Sequence, residues 1–192
     1  MTSTYPGGAS LTSRLLAVPY AARAAVADSV VSHGSVVQMG AAQTRDHALY
    51  TAPNSGNGAG ITPLDIVITP RKAGNWMVLE WVIHGEIQHN ALFTVTRNGQ
   101  LLQGATNSAN SRWSGVTSAL FDENNDSTPF AFTVKVVDGN TLAEQTTYRV
   151  HVRASGANAR TFSLNRPLGS AGSDDYETGI SVGTATEIWR AP

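Results

Sequence analysis

The chain has 192 residues, of which 41% are hydrophobic, and this is enough for one domain with its own core. Thirteen lysines and arginines against fourteen acidic residues give a net charge of -1, so no overall field favours nucleic acid or an anionic membrane. Charged residues make up 14% of the chain, below the roughly 25% that is typical of soluble domains. Such a surface must be covered by small polar residues or buried against other subunits, and we therefore expect an assembly component.

The sequence also excludes several kinds of site and segment. It has no cysteine, which excludes disulfides, thiolate nucleophiles and cysteine-based zinc sites. No apolar run approaches the roughly 18 residues of a membrane-spanning helix. The run in SRLLAVPYAARAA is short and is interrupted by Pro19, which is unlike a signal peptide. We expect a soluble protein made in a cytoplasm, with no cofactor and no membrane insertion.

Residues 1–34 differ in composition from the rest of the chain and are predicted to form an N-terminal attachment arm. Pro19 suits the first turn of a helix, and the alanines that follow it favour a helix as far as about Val31. A helix of this length is too short to be stable alone in water. It is expected to lie against another copy, the domain or a larger particle, and an extended arm is the alternative.

Residues 35–192 show the two-residue hydrophobic alternation of half-buried strands. The successive runs are SVVQMG, DIVITP, NWMVLEWVIHGEIQ, LFTVTRNGQLL, RWSGVTSALFD, FAFTVKVVDG, TYRVHVRA, ARTFSLNR and ETGISVGTATEIWR. The pair Asn98-Gly99 is a strong signal for a two-residue hairpin turn. About eight to ten strands, with no helical periodicity between them, predict a single antiparallel all-β jelly-roll sandwich.

The segment NWMVLEWVIHG has two apolar faces. One face is formed by four alternate residues, Met77, Leu79, Trp81 and Ile83. The opposite face carries Trp76, Val78 and Val82. The outer face of a two-sheet sandwich is normally wet, so we predict that the second set lines a homotrimer interface. The alternative is a central strand that is covered by a loop or by the arm.

The run TTYRVHVRA alternates strictly and places three cationic or titratable side chains on one face: Arg149, His151 and Arg153. Arg160 and Arg166 would extend this stripe if the next strand paired with it. Nucleic-acid binding would require more basic residues interleaved with aromatic ones. We therefore interpret the stripe as a solvated or subunit-facing sheet face with a structural role.

In their order along the chain, five segments resemble a domain common in structural proteins of tailed phages, especially phages of cyanobacteria and other aquatic bacteria. They are DIVITPRKAGNWMVLEWVIHGEI, ALFTVTRNGQLL, TTYRVHVRA, TFSLNR and ISVGTATEIWR. The resemblance covers about residues 35–190. It implies a jelly roll similar to tumour-necrosis-factor-like and C1q-like heads, which associate as trimers. Members of the phage family sit at the ends of fibres or on capsid surfaces.

The resemblance therefore implies a virion protein that is assembled in the host cytoplasm. We expect a short tail-fibre or baseplate-associated component that docks onto other virion proteins through residues 1–34 and presents a trimeric head to the host surface. A capsid decoration or cement protein is the alternative. The short segment before the head argues against a long fibre.

The titratable residues form no recognisable catalytic or metal-binding motif. His84 and His89 are five residues apart, which on a strand places them on opposite faces, although three copies could supply three histidines at a symmetry axis. The segment DENNDS begins like a calcium loop but lacks the glycine and the glutamate that such a loop requires. Ser114 lacks the G-x-S-x-G setting of a nucleophile, and the acidic pairs are adjacent in loops. We predict neither enzymatic activity nor a bound metal.

Loops rich in Asn, Ser and Gly with isolated aromatic residues form adaptable recognition surfaces. The candidate receptor-binding residues are Arg112, Trp113, Asp122, Asn124 and Tyr176. Trp113 with Arg112 could stack on a sugar of a host-surface glycan. The alternative is that Trp113 packs into the core or into the trimer seam.

Overall fold

The computed structural model describes residues 2–4, 10–12, 33–102, 115–118, 129–139, 141–169 and 177–191. The chain divides into two units, Met1–Ser32 and His33–Pro192. In the first unit, strands β1 (Thr2–Thr4) and β2 (Ser10–Thr12) form an antiparallel pair with Thr2 opposite Thr12. The helix predicted from Pro19 to Val31 lies outside the described residues.

The second unit is built from strands, which follow the alternating runs of the sequence. The fourteen strands that the described residues form are β1 (Thr2–Thr4), β2 (Ser10–Thr12), β3 (Val36–Thr44), β4 (Ala48–Ala52), β5 (Ala59–Gly60), β6 (Ile66–Ile68), β7 (Trp76–Ile87), β8 (Asn90–Arg97), β9 (Gln100–Leu101), β10 (Thr117–Ser118), β11 (Phe130–Asp138), β12 (Thr146–Ser155), β13 (Arg160–Leu164) and β14 (Ser181–Ile188). One short 3-10 helix spans Thr62–Leu64. Within the described ranges, no helix is long and apolar enough to cross a membrane.

Two antiparallel sheets form the sandwich. The β12 sheet has the order β10-β8-β12-β5, with β6 also paired to β12 and β9 to β8. The β7 sheet has the order β3-β14-β7-β13-β4, with β11 also paired to β7. From β6 to β8, and again from β11 to β13, consecutive strands alternate between the two sheets. This crossing pattern defines a jelly roll, and the predicted all-β fold class is confirmed.

The core lies between the two sheets, and its largest side chains are aromatic. The largest fully buried ones are Trp81, Tyr148, Phe93 and Phe162. Phe93 and Phe162 meet edge to face, with ring centroids 6.1 Å apart, which is a favoured aromatic geometry. The indole N–H of Trp81 donates to the carbonyl of Leu64 at 3.0 Å, so its polar atom is satisfied although it is buried.

The hairpin signal at Asn98-Gly99 is confirmed. Asn98 has a φ of 49° and Gly99 a φ of 80°, the left-handed backbone that a tight turn between two strands requires. The turn joins β8 to β9, and Thr96 lies opposite Leu101. A short strand that the sequence prediction omitted, β4, pairs with β13 at one side of the β7 sheet.

A buried carboxylate ties the loop between β6 and β7 to strand β14. Glu187 is fully buried, and its oxygens accept hydrogen bonds from the side chain of Asn75 at 2.6 Å and from the backbone N–H of Arg71 at 2.9 Å. The side-chain amide of Gln38 donates to the same carboxylate at 2.7 Å. Each of these donors compensates part of the desolvation cost of the charge, so the network fixes this end of the sandwich.

Candidate subunit interface

Strand β7 lies inside its sheet. One of its faces packs into the core, and the other is partly exposed to solvent. Burial alternates from Trp76 to Gly85, after which Glu86 and Ile87 are buried too. The residues turned to the core are fully buried: Met77, Leu79, Trp81 and Ile83. Those on the opposite side are half-buried: Trp76, Val78, Glu80, Val82 and His84. The alternation therefore places Trp76, Val78 and Val82 on the outer face of the β7 sheet, as the sequence predicted.

The strand register assembles a row of apolar side chains across this face. Val78 lies between Thr186 of β14 and Val137 of β11, and Thr186 lies opposite Met39 of β3. Met39 is 67% exposed and Val137 is 54% exposed. These two open apolar side chains stand at the ends of the row, with Thr186 and the half-buried Val78 between them, and together they form a surface suited to another protein.

The rows on either side of Val78 continue the outer face. Towards one end, Trp76 lies beside Ile188, which in turn lies opposite Val36, a valine that is 64% exposed. Towards the other end, Glu80 and Lys135 form an ion pair at 3.2 Å, with both side chains open to solvent. An exposed pair of this kind contributes little to stability, but the opposite charges offset each other on the face.

Trp76 is less available than Val78 and Val82 for contact with a second subunit. Its ring meets His33 edge to face, with centroids 5.7 Å apart, and the guanidinium of Arg190 lies 5.6 Å from the ring centroid. Its own chain therefore covers part of the indole. The candidate interface centres on Val78 and Val82, and Trp76 lies at its margin.

The cationic stripe of β12 lies on the outer face of the other sheet, but most of it is neither solvated nor free for a subunit. Arg153 is buried, and its guanidinium donates to the carbonyl of Gly56 at 3.1 Å. The Arg149 guanidinium forms a two-point ion pair with Asp65. The interpretation as a solvated or subunit-facing surface is therefore wrong for His151 and Arg153, which a loop of the same chain covers, whereas the side chain of Arg149 stays 37% exposed.

A glycine allows this loop to approach β12 closely. Gly58 has a φ of 97°, and a Cβ at this position would lie 2.5 Å from the carbonyl oxygen of Val152. A side chain would push the loop off the strand. Closely spaced glycines in NSGNGAG were the sequence signal for this close contact, although glycine in a loop more often indicates only a turn.

The central residue of the stripe, His151, is 9% exposed, and its Nε2 atom is 2.9 Å from the hydroxyl of Thr96. Burial lowers the pKa of His151; a hydrogen bond with the Gly58 backbone and the charge of Asp65 oppose this shift, while Arg149 adds to it. Its neighbour Arg149 keeps its charge, because the hydrogen bonds to Asp65 raise its pKa.

The proposed extension of the stripe is also wrong. Arg160 is on β13, which pairs with β4 and β7 in the other sheet, and Arg166 follows that strand. The next strand after β12 therefore crosses the sandwich, as jelly-roll connections do.

The predicted metal and receptor residues are placed only in part. His84 is on the outer face of β7, and His89 is in the β7–β8 turn with a φ of 66°. Across the described ranges, no three His, Asp or Glu side chains come close enough to hold a metal ion.

The candidate receptor-binding residues, Arg112, Trp113, Asp122, Asn124 and Tyr176, all lie outside the described residues, and so does Ser114.

Comparison with known proteins gives a similarity of fold alone. No family model matches the chain, and no curated protein matches its sequence. Among solved structures, it is similar to Eiger TNF from S. frugiperda, with a TM-score of 0.40 and 10% sequence identity. The match covers 80% of this chain and 95% of that chain.

Proposed function

We propose that this chain is a structural protein of a tailed-phage virion. In this proposal the jelly roll forms a homotrimer through the outer face of the β7 sheet. Residues 1–34 attach the trimer to other virion proteins as a short tail-fibre or baseplate-associated component, and the head contacts the host surface. The sequence resemblance supports the virion assignment, and the open apolar face supports the trimer.

The observation that carries the proposal is the exposure of Val36, Met39 and Val137 on one regular sheet face. Full burial of such side chains gives about 1.5–3 kcal/mol each. These residues are roughly half to two-thirds exposed, so covering all three would contribute about 3–5 kcal/mol per subunit, before the entropic cost of association. A three-fold arrangement would turn this face of every subunit towards the axis.

Light scattering of the full-length protein tests the trimer. We expect a mass three times the 20.2 kDa of the chain. Val137→Asp places a charge in the apolar row and is expected to give a folded monomer. Val67→Asp is the matched control, because Val67 is 57% exposed on β6 of the other sheet, and it should leave the trimer intact. A monomeric wild-type protein, or a Val137→Asp protein that remains trimeric, would contradict the proposed interface.

Electron microscopy of intact virions tests the assignment to the tail. Gold-labelled antibodies against the jelly roll should mark the tail or baseplate of phage particles. Labelling of the whole head surface would favour the decoration protein instead. If the protein is absent from purified virions, both assignments are wrong.

A further inference from the structure

A cleft with cationic walls opens at the end of the sandwich where β14 finishes. It has a volume of about 370 Å³, and its lining residues are Lys72, Ala73, Gly74, Arg190 and Ala191. Two tryptophans stand beside it: Trp76 at the start of β7 and Trp189 directly after β14. The residues come from two segments that lie more than a hundred positions apart, so the fold alone brings them together.

Hydrogen bonds to the buried network around Glu187 hold the backbone of the cleft in place. Asn75 binds the Glu187 carboxylate through its amide nitrogen, and its amide oxygen accepts from the backbone N–H of Arg190 at 3.1 Å. The backbone N–H of Arg71 also donates to Glu187. Both walls of the cleft are therefore fastened to the same carboxylate.

The cations of the cleft are positioned by aromatic rings. The ammonium group of Lys72 lies 4.2 Å from the ring centroid of Trp189 and donates to the carbonyl of Arg190 at 3.3 Å. The guanidinium of Arg190 lies over Trp76. Cation–π contacts of this kind restrict long side chains without neutralising their charge.

The side chains of these cations form no ion pair among the described residues, although the buried Glu187 carboxylate binds the backbone beneath them. Arg97, Arg149 and Lys135 each form an ion pair with an acidic side chain. In the part of the chain that the structure describes, Lys72, Arg190 and the adjacent exposed Arg71 have no such pair. Fixed, unpaired cations around a concave surface are what a carboxylate, sulfate or phosphate group requires.

We propose that this cleft binds the oxyanion groups of an acidic polysaccharide, such as a sulfated or carboxylated glycan. The cleft is larger than a single sulfate ion and falls within the range of about 300–1,000 Å³ that is usual for small-molecule sites. Lys72 and Arg190 bind the charged substituents, and the parts of the two indole rings that these cations and His33 leave uncovered contact the sugar rings. The lining residues belong to one chain, and the site does not depend on the proposed virion assignment, although Trp76 also lies at the margin of the proposed trimer interface.

Fluorine NMR of full-length protein labelled with 5-fluorotryptophan tests the proposal, since the chain has four tryptophans. Sodium sulfate, dextran sulfate and neutral dextran are titrated at constant ionic strength, because added salt alone screens charges. We expect the Trp76 and Trp189 signals to shift with sulfate and, at concentrations at least about tenfold lower, with dextran sulfate. Trp81 is an internal control, because it is fully buried in the core and should not move.

The paired substitution Lys72→Gln with Arg190→Gln should raise the dissociation constant for dextran sulfate at least about tenfold, since charged hydrogen bonds are lost. Arg45→Gln is the charge-matched control. Arg45 is exposed between β3 and β4, far along β3 from Val36, and its loss should change the constant little. If the paired variant does not fold, the wild-type signals of Trp76, Trp189 and Trp81 still decide the matter.

Four results would overturn the proposal. Equal weakening by Arg45→Gln would mean that only overall charge matters. A Trp81 shift as large as the others would indicate a global change rather than binding in the cleft. Neutral dextran that binds like dextran sulfate would remove the role of the oxyanion, and sulfate that binds as tightly as dextran sulfate would remove the role of the polysaccharide.

Discussion

The buried histidine of the β12 stripe makes the stability of the jelly roll depend on pH. His151 is covered by the loop around Gly58, and its environment lowers its pKa below the ordinary value of about 6.5. As the pH falls through 6.5, the unfolded chain binds a proton at this residue before the folded chain does. The free energy of unfolding must therefore decrease with falling pH until the folded pKa is reached, and change no further below it.

The size of this effect follows from the linkage between protonation and folding. One histidine that is protonated only in the unfolded state changes the free energy of unfolding by at most about 1.4 kcal/mol per pH unit. His151→Gln keeps a polar group near Thr96 and cannot titrate in this range. Subtracting the free energy of unfolding of the variant from that of the wild type isolates the contribution of His151 from that of other groups.

Urea unfolding at a fixed protein concentration between pH 8 and pH 4.5 provides the measurement. We expect the difference between wild type and His151→Gln to be constant above about pH 7.5 and to decrease below pH 6.5. His47→Gln is the comparison, because burial and Arg166 lower the pKa of His47 but its ring is more open, so its effect should be smaller. Parallel curves for wild type and His151→Gln would show that the loop does not keep this histidine neutral.

Three substitutions test the packing that supports the two outer faces, each by urea unfolding. Gly183→Ala would place a Cβ 2.4 Å from the Trp81 indole and should lower the free energy of unfolding by about 1–3 kcal/mol; no loss would mean that the ring can move. Tyr148→Phe removes the hydroxyl that donates to the buried Asp138 at 2.8 Å, at a cost of about 1–3 kcal/mol, and an unchanged midpoint would contradict that hydrogen bond. Glu187→Gln replaces one carboxylate oxygen, which accepts hydrogen bonds, with an NH₂ group that faces other donors, and it should lower the free energy of unfolding by about 1–3 kcal/mol. An unchanged free energy of unfolding would show that the network is not stabilising.

Strict alternation was sufficient to predict the fold class. Strands β7, β11 and β12 follow the apolar periodicity of their segments, and the Asn98-Gly99 turn follows from its two residues alone. The short strand β4 was missed because ALYTA is too brief for its alternation to stand out from the loop that follows it. Local pattern fixes the direction of a side chain relative to its sheet, and that is enough to identify a sandwich.

The alternation along a strand does not predict which other segment of the chain covers an outward-facing side chain. Arg149, His151 and Arg153 point outwards as predicted, yet the loop around Gly58 closes over His151 and Arg153 through contacts that span about a hundred residues of sequence. Glu187 is buried on β14, and no local pattern indicates that donors from the β6–β7 loop bind its carboxylate. The cationic cleft was missed for the same reason, because Lys72 and Arg190 meet only after the register of β7 and β14 is set.

The two outer faces of the sandwich therefore contradict what their composition suggests. The face of β12 is charged and polar, and such a face would ordinarily be left to water, but its own chain covers it. The face of β7 has an apolar row that would ordinarily be covered, but among the described residues Met39 and Val137 remain open. The glycine-rich loop covers the polar face, whereas the apolar face stays exposed. This arrangement is consistent with a second copy of the chain that buries the apolar face. Light scattering of the Val137→Asp and Val67→Asp proteins separates this explanation from a merely tolerated patch, because only a real interface makes the two substitutions differ.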